Sequence, residues 1–126
     1  MINFSEDKDV LDFHLVKIGE HTFVLEECKN FPEGLSNRKH LLDNEGMLFN
    51  FLSRGEKSFH MKDCLIPLDI LFIENGAVKK IYHSCDPCES NNCLKYSCDS
   101  ADAVVELLGG TCKKNNINEG LIYRHF

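Results

Sequence analysis

The chain predicts an α+β domain, mostly antiparallel β, folded as a compact sheet or barrel-like body with one or two short helices. Three stretches lead there. In Leu68-Asp69-Ile70-Leu71-Phe72-Ile73, Leu68, Ile70 and Phe72 fall on one face, and Asp69 shares the other with Leu71 and Ile73. Such a strand is buried on both sides apart from one carboxylate. Asn75-Gly76 follows, and between two β-rich runs it is a strong hairpin signal because both turn positions need positive φ. Strands 68–74 and 77–83 are therefore expected to be antiparallel neighbours. Phe59-His60-Met61-Lys62 alternates apolar and polar residues, as a strand with one wet face requires.

Along the rest of the chain, residues 1–10 are charged and polar and read as a flexible N-terminus, leaving 11–126 as a single domain. Residues 13–18 and 21–26 flank a Gly19-Glu20 turn and read as a hairpin; His14 and His21 on it have no acidic or cysteine neighbour at ligand spacing. A helix is expected from Asn30, a capping residue, with Pro32 in its first turn and Glu33 three residues on as in a capping box. It should run to about Leu42 with Leu35 and Leu42 facing the core. Met47, Phe49 and Phe51 alternate along the next strand, and 53–57 reads as a polar turn. Ser100 to Ala103 reads as a turn of helix, Val104 to Leu108 as strand or helix, Thr111 as the cap of a helical turn over Cys112 to Asn116, and 121–124 as a last strand.

At 126 residues the chain is long enough to bury a core without several disulfides, and 43% hydrophobic residues with nine phenylalanines supply it. A net charge of −6 disfavours a general phosphate-backbone binder. No run approaches the roughly 18 apolar residues of a membrane span, and the first nine residues lack the basic and apolar parts of a signal peptide. A cytoplasmic site of action is expected, in a cell or in the host of a virus that encodes the protein. No nucleophile elbow, P-loop, dinucleotide fingerprint or His-Glu-x-x-His is present.

Two constellations carry the chemistry the sequence offers. Cys85, Cys88, Cys93 and Cys98 follow one another with spacers of two, four and four, the spacing of a zinc knuckle with cysteine in place of its histidine. Four thiolates suit a tetrahedral Zn²⁺, and a closed four-cysteine shell makes the role structural. Seven cysteines without an export signal point to metal or chance rather than to a disulfide framework. Disulfides and free thiols remain the alternatives. The second constellation is Lys62 with Asp69, joined by Arg38, His60 and Glu106. A carboxylate in an apolar strand needs a partner. Lys62 is the nearest cation, and the competing reading has Asp69 holding a turn through backbone N–H groups.

GMLFNF at 46–51, Phe59-His60-Met61-Lys62, Ile66-Pro67-Leu68-Asp69-Ile70-Leu71-Phe72, Val105-Glu106-Leu107 with Gly110, and Ile117-Asn118-Glu119-Gly120 resemble, in that order, the signature of the DUF192 family, across about Phe13 to Phe126. The resemblance implies a compact, mostly antiparallel β domain with one or two short helices and no established reaction. His60 stands where an indole is usual, Cys64 where threonine is expected and Ser36 where the family has methionine. Pro87, Cys88, Cys93 and Tyr96 resemble the family's loop as well, and there the resemblance implies a Cys88 to Cys93 disulfide, with Cys85 and Cys98 as additions of this chain.

The function expected is a non-enzymatic interaction or small-ligand-binding module whose Cys85 to Cys98 loop is ordered by structural zinc. Its partner would be a protein or a small ligand, with no membrane and no nucleic acid. The alternatives are an enzyme, hydrolytic in class, using Lys62, Asp69 and His60 in a cleft, and a nucleic-acid binder acting through the zinc-knuckle-like loop.

Overall fold

The computed structural model describes residues 12–28 and 39–126. Among these residues seven strands and one short helix follow in order: β1 (Phe13–Ile18), β2 (His21–Glu27), β3 (Glu45–Phe59), β4 (Leu68–Glu74), β5 (Ala77–Cys85), β6 (Tyr96–Leu108), α1 (Thr111–Lys114) and β7 (Tyr123–His125). The strands form one curled sheet in the order β5-β4-β6-β3-β2-β1-β7. Every neighbouring pair is antiparallel except β2 with β3. Residues just before β7 reach round to the start of β5. Val78 N donates to Leu121 O at 2.8 Å, Tyr123 N to Gly76 O at 2.9 Å, and Ala77 bridges Ile122. The result is a barrel-like, mostly antiparallel body.

Both hairpins form as their turns require. Ile18 pairs with His21 across a Gly19 at φ 58°, and Asn75 and Gly76 take φ 52° and 72°. Strand β4, paired on both sides by β5 and β6, is buried along six of its seven residues. Its alternation splits the core into two layers. Leu71 and Ile73 join Val16, Ile18, Leu25, Leu48, Val105 and Leu107 in one. Leu68, Ile70 and Phe72 join Met47, Phe49, Met61 and Val104 in the other. Side chains of one strand alternate between faces, so each layer recruits every second residue. Gly46 has no room to be anything else: a Cβ there would collide with the Glu106 carbonyl oxygen and with the side chains of Leu107 and Leu25.

Several expectations are corrected. The polar turn at 53–57 does not form; β3 runs unbroken from Glu45 to Phe59, and its register against β6 shifts on either side of Gly55. The polar run is an irregular stretch of strand, not its end, because β6 extends alongside it and supplies the hydrogen-bonding partner. Of the strand expected at 59–62, only Phe59 belongs to β3, and Lys62 makes an isolated bridge to Cys88. Met61 leaves the sheet to bury itself in the second layer, with 1% exposure. Ser100 to Ala103 is strand within β6, not helix. The helix expected from Asn30, including Leu35, falls mostly outside the described residues. Residues 39–42 are not helical, and Leu42 is 63% exposed because Glu45 closes a turn on it: Leu42 N donates to Glu45 Oε1 at 3.1 Å, and Glu45 N to Leu42 O at 3.0 Å. Thr111 begins α1 instead of capping it; Gly110, at φ 93°, is the residue before.

Candidate functional site

Asp69 is fully buried, and its partners are backbone amides. Oδ1 accepts from Ser84 N at 2.8 Å and Gly110 N at 3.1 Å, and Oδ2 accepts from Cys112 N at 2.8 Å. One carboxylate thus ties β4 to the end of β5 and to the first turn of α1, where amide groups have no partner of their own in the helix. The Lys62–Asp69 pair is therefore corrected. Lys62 Nζ donates to Ser90 O at 3.2 Å and Asn91 Oδ1 at 2.8 Å. His60 is exposed, and its Nδ1 accepts the Lys62 amide at 3.1 Å. Arg38 lies outside the described residues.

Glu106 points into the second layer from β6, between Met47 of β3 and Ile70 of β4, and is 4% exposed. Burial pushes its carboxyl up to about 8, so at neutral pH it sits largely protonated. Burial, then the nearby Glu106, push the Cys64 thiol to about 11.

The cysteine run divides. Cys88 and Cys93 form a disulfide. Cys85, at the end of β5, and Cys98, on β6, are buried thiols, with their sulfurs against Tyr82 O at 3.6 Å and Ser100 O at 3.5 Å. Among the described residues no group of three or more His, Cys, Asp or Glu side chains is arranged to hold a metal ion. The four cysteines whose spacing suits zinc are thus in two different states here. Two are consumed in a covalent bond, and the other two are drawn into the core by the apolar neighbours of their strands.

The disulfide instead borders a cleft of about 260 Å³. Met61, Pro87, Leu94 and Tyr96 provide its apolar walls, Asp86 and Asn92 its polar groups, and both bridged cysteines face it. The strand-to-loop join at Met61 holds one side: Cys88 N donates to Met61 O at 3.2 Å and Asp63 N to Cys88 O at 3.1 Å. Asp63 takes φ 62° to make that return. Tyr96, at the start of β6, packs edge-on to Tyr82 at 5.2 Å. Lys62 braces the loop from outside.

Sequence reading missed this cleft, since nothing in the spacing of Met61, Asp86, Leu94 and Tyr96 marks them as neighbours. It also missed a polar cluster whose signal was available. His14 Nε2 and Glu27 Oε1 lie 2.7 Å apart, the His125 ring sits edge-on to His14 at 5.2 Å, and Tyr123 Oη and His125 Nε2 hydrogen-bond at 3.0 Å. With Ile18 opposite His21, His14 is opposite Leu25 and on the same face as Glu27 one step away, which the hairpin register foretells.

Taken together, a curled and mostly antiparallel barrel-like sheet with one short helix among the described residues, a carboxylate knot at α1 and a disulfide-bordered cleft define a small β-rich domain. The sequence profile of the DUF192 family, described as an uncharacterised ACR, matches residues 15–124, and the chain belongs to that family. No curated protein matches it. Among solved structures, a candidate transcription regulator from Sinorhizobium meliloti 1021 is similar at 24% identity over 91% of this chain and 95% of that one, with a TM-score of 0.83; that likeness shows the fold alone. A protein of unknown function from Novosphingobium aromaticivorans is similar at 27% identity over 89% of this chain and 84% of that one, with a TM-score of 0.79. No helix among the described residues is long and apolar enough to cross a membrane.

Proposed function

We propose that the protein is a non-enzymatic binding module and that the cleft beside the Cys88–Cys93 loop takes a small ligand or a single side chain of a protein partner. The observation that carries this reading is the cleft itself: about 260 Å³, apolar walls, and two polar side chains, Asp86 and Asn92. Ligand sites share that make-up, although drug-sized ligands occupy roughly 300–1,000 Å³. A smaller occupant with an apolar body and one hydrogen-donating end, such as a primary amine, fits the volume and the Asp86 carboxylate. A hydrolytic role for Lys62 and Asp69 is disfavoured, because Asp69 already accepts three amide hydrogen bonds and Lys62 is turned to the loop.

Titrating ¹⁵N-labelled protein with a small library of alkylamines and neutral isosteres tests the reading. Amide shifts at Met61, Asp86, Asn92, Leu94 and Tyr96 that saturate at millimolar amine support it. Shifts confined to other surfaces, or none, overturn it.

Structural zinc remains a second reading on the cysteine spacing alone. It requires the Cys88–Cys93 bond to open and Cys85 and Cys98 to leave the core. Elemental analysis of protein purified under reducing conditions decides it, with less than half an equivalent of zinc counting against the metal.

A further inference from the structure

We propose that the Cys88–Cys93 disulfide is a directional exchange site for small thiols, in which the incoming sulfur bonds to Cys93 and Cys88 is the leaving group. This goes beyond the binding reading and holds whether or not the cleft carries a ligand.

Access comes first. Cys88 and Cys93 are half-buried and face the cleft, whereas Cys28, Cys64, Cys85, Cys98 and Cys112 are all buried. Burial also keeps the Cys64 and Cys85 thiols protonated at neutral pH, and a protonated thiol is a poor nucleophile. Chemistry at sulfur in the folded chain is thus concentrated on the bridged pair.

Direction comes from Ser90, which treats the two sulfurs differently. Its carbonyl oxygen lies 3.2 Å from Cys93 Sγ and 4.0 Å from Cys88 Sγ. A disulfide sulfur has no hydrogen to offer that oxygen, so negative charge is disfavoured most on Cys93. The Ser90 hydroxyl oxygen lies 3.6 Å from Cys88 Sγ and accepts the Asn92 amide at 3.0 Å. Its own hydrogen is then left to donate towards Cys88. Lys62 Nζ, fixed on Ser90 O and Asn91 Oδ1, places a positive charge over the same loop. A sulfur whose thiolate is stabilised leaves faster in exchange; the two Ser90 contacts select Cys88, while Lys62 favours the incoming and developing negative charge at the loop without choosing between the sulfurs.

The step balances without an added oxidant. A thiol ionises, giving its proton to solvent, and its sulfur forms a new S–S bond to Cys93. The Cys88–Cys93 bond breaks with its electron pair on Cys88 Sγ, which later takes a proton back. One disulfide is consumed and one is formed. The reverse step, Cys88 attacking Cys93, expels the thiol and recloses the loop. Cys88 stays near for it, held by the Met61 carbonyl and the Asp63 amide.

The test is to treat the full-length chain with reduced glutathione, quench with iodoacetamide and map the peptides by mass spectrometry. The expected product carries glutathione on Cys93 and carbamidomethyl on Cys88, with the other five cysteines alkylated only after unfolding. Ser90→Ala and Lys62→Met should each slow adduct formation about three- to tenfold, with Ser90→Thr restoring the rate. A merely structural role for Ser90 would loosen the loop and speed the reaction instead. Glutathione on Cys88, an equal split, a buried cysteine reacting first, or no adduct on a chain whose linkage is verified would overturn the proposal. So would Cys88 and Cys93 found as thiols before glutathione is added.

Discussion

The β4 core and the Cys88–Cys93 loop hold themselves together in opposite ways. Around β4 everything is redundant: two apolar layers, hydrogen-bonded neighbours on both sides, and a carboxylate satisfied by three amides. The loop has few bonds of its own: one covalent link, two backbone hydrogen bonds to the Met61 turn, the Asn92 amide on the Ser90 hydroxyl, and one lysine. Redundancy leaves the core with no group to spare for a ligand. The sparse tethering of the loop leaves an open cleft and a reactive bond, as expected of functional segments carried on a rigid scaffold.

Removing the Asp69 side chain should have the largest effect. Asp69→Ala strands three amides, two of them at the start of α1. Breaking such a buried network costs about 3–5 kcal/mol. Chemical denaturation should show that loss, and a cost below about 1 kcal/mol would mean the knot is not what joins β4 to α1.

The second buried carboxylate sharpens the contrast because burial dominates its environment and no amide among the described residues is seen to hold its charge. Glu106 in the folded chain titrates near 8, above the ordinary value of 4.5. Between those values the folded chain keeps a proton that the unfolded chain releases, so stability falls as pH rises from about 4.5 to about 8. It is level outside that window. The slope approaches about 1.4 kcal/mol per pH unit at its steepest. Denaturation midpoints across that range should show the decline, and Glu106→Gln should abolish it while leaving the variant more stable than the parent at pH 8. An unchanged slope in the variant assigns the proton elsewhere.

Opening the loop should cost less. Replacing Cys88 and Cys93 together by serine removes a short closed ring, worth about 2 kcal/mol in the chain-entropy account, and should abolish amine-induced shifts at the cleft while the β4 amides keep their chemical shifts. Loss of the whole spectrum would place the loop inside the core after all. The smallest effect belongs to Lys62→Met, whose exposed hydrogen bonds contribute below about 1 kcal/mol; its melting temperature should barely move even as exchange with glutathione slows.

The same contrast explains what could be read from the residues alone. Both hairpins were legible because Gly19 and Asn75-Gly76 impose backbone conformations that few other residues accept, and the alternation through 68–73 fixed which side chains share a layer. The need of Asp69 for a partner was legible too, and backbone N–H groups were among the partners the sequence offered; which amides they would be was not legible, since Ser84, Gly110 and Cys112 supply N–H groups that any residue but proline carries. The polar run at 53–57 misled because its partner strand lies some forty residues away in β6. In the loop, thiol spacing fits a tetrahedron and a bridge equally well. The bridge and the burial of Cys85 and Cys98 are both tertiary outcomes, which spacing alone does not specify. The cleft was out of reach for the same reason, its walls coming from Met61, the 86–94 loop and Tyr96.

The most direct measurement is a peptide map, without reduction, of protein purified under an inert atmosphere, with thiols alkylated before and after unfolding. The account predicts one linked peptide pair, Cys88 with Cys93, and five cysteines alkylated only on unfolding. All seven cysteines recovered as thiols, or a link through Cys85 or Cys98, would contradict it.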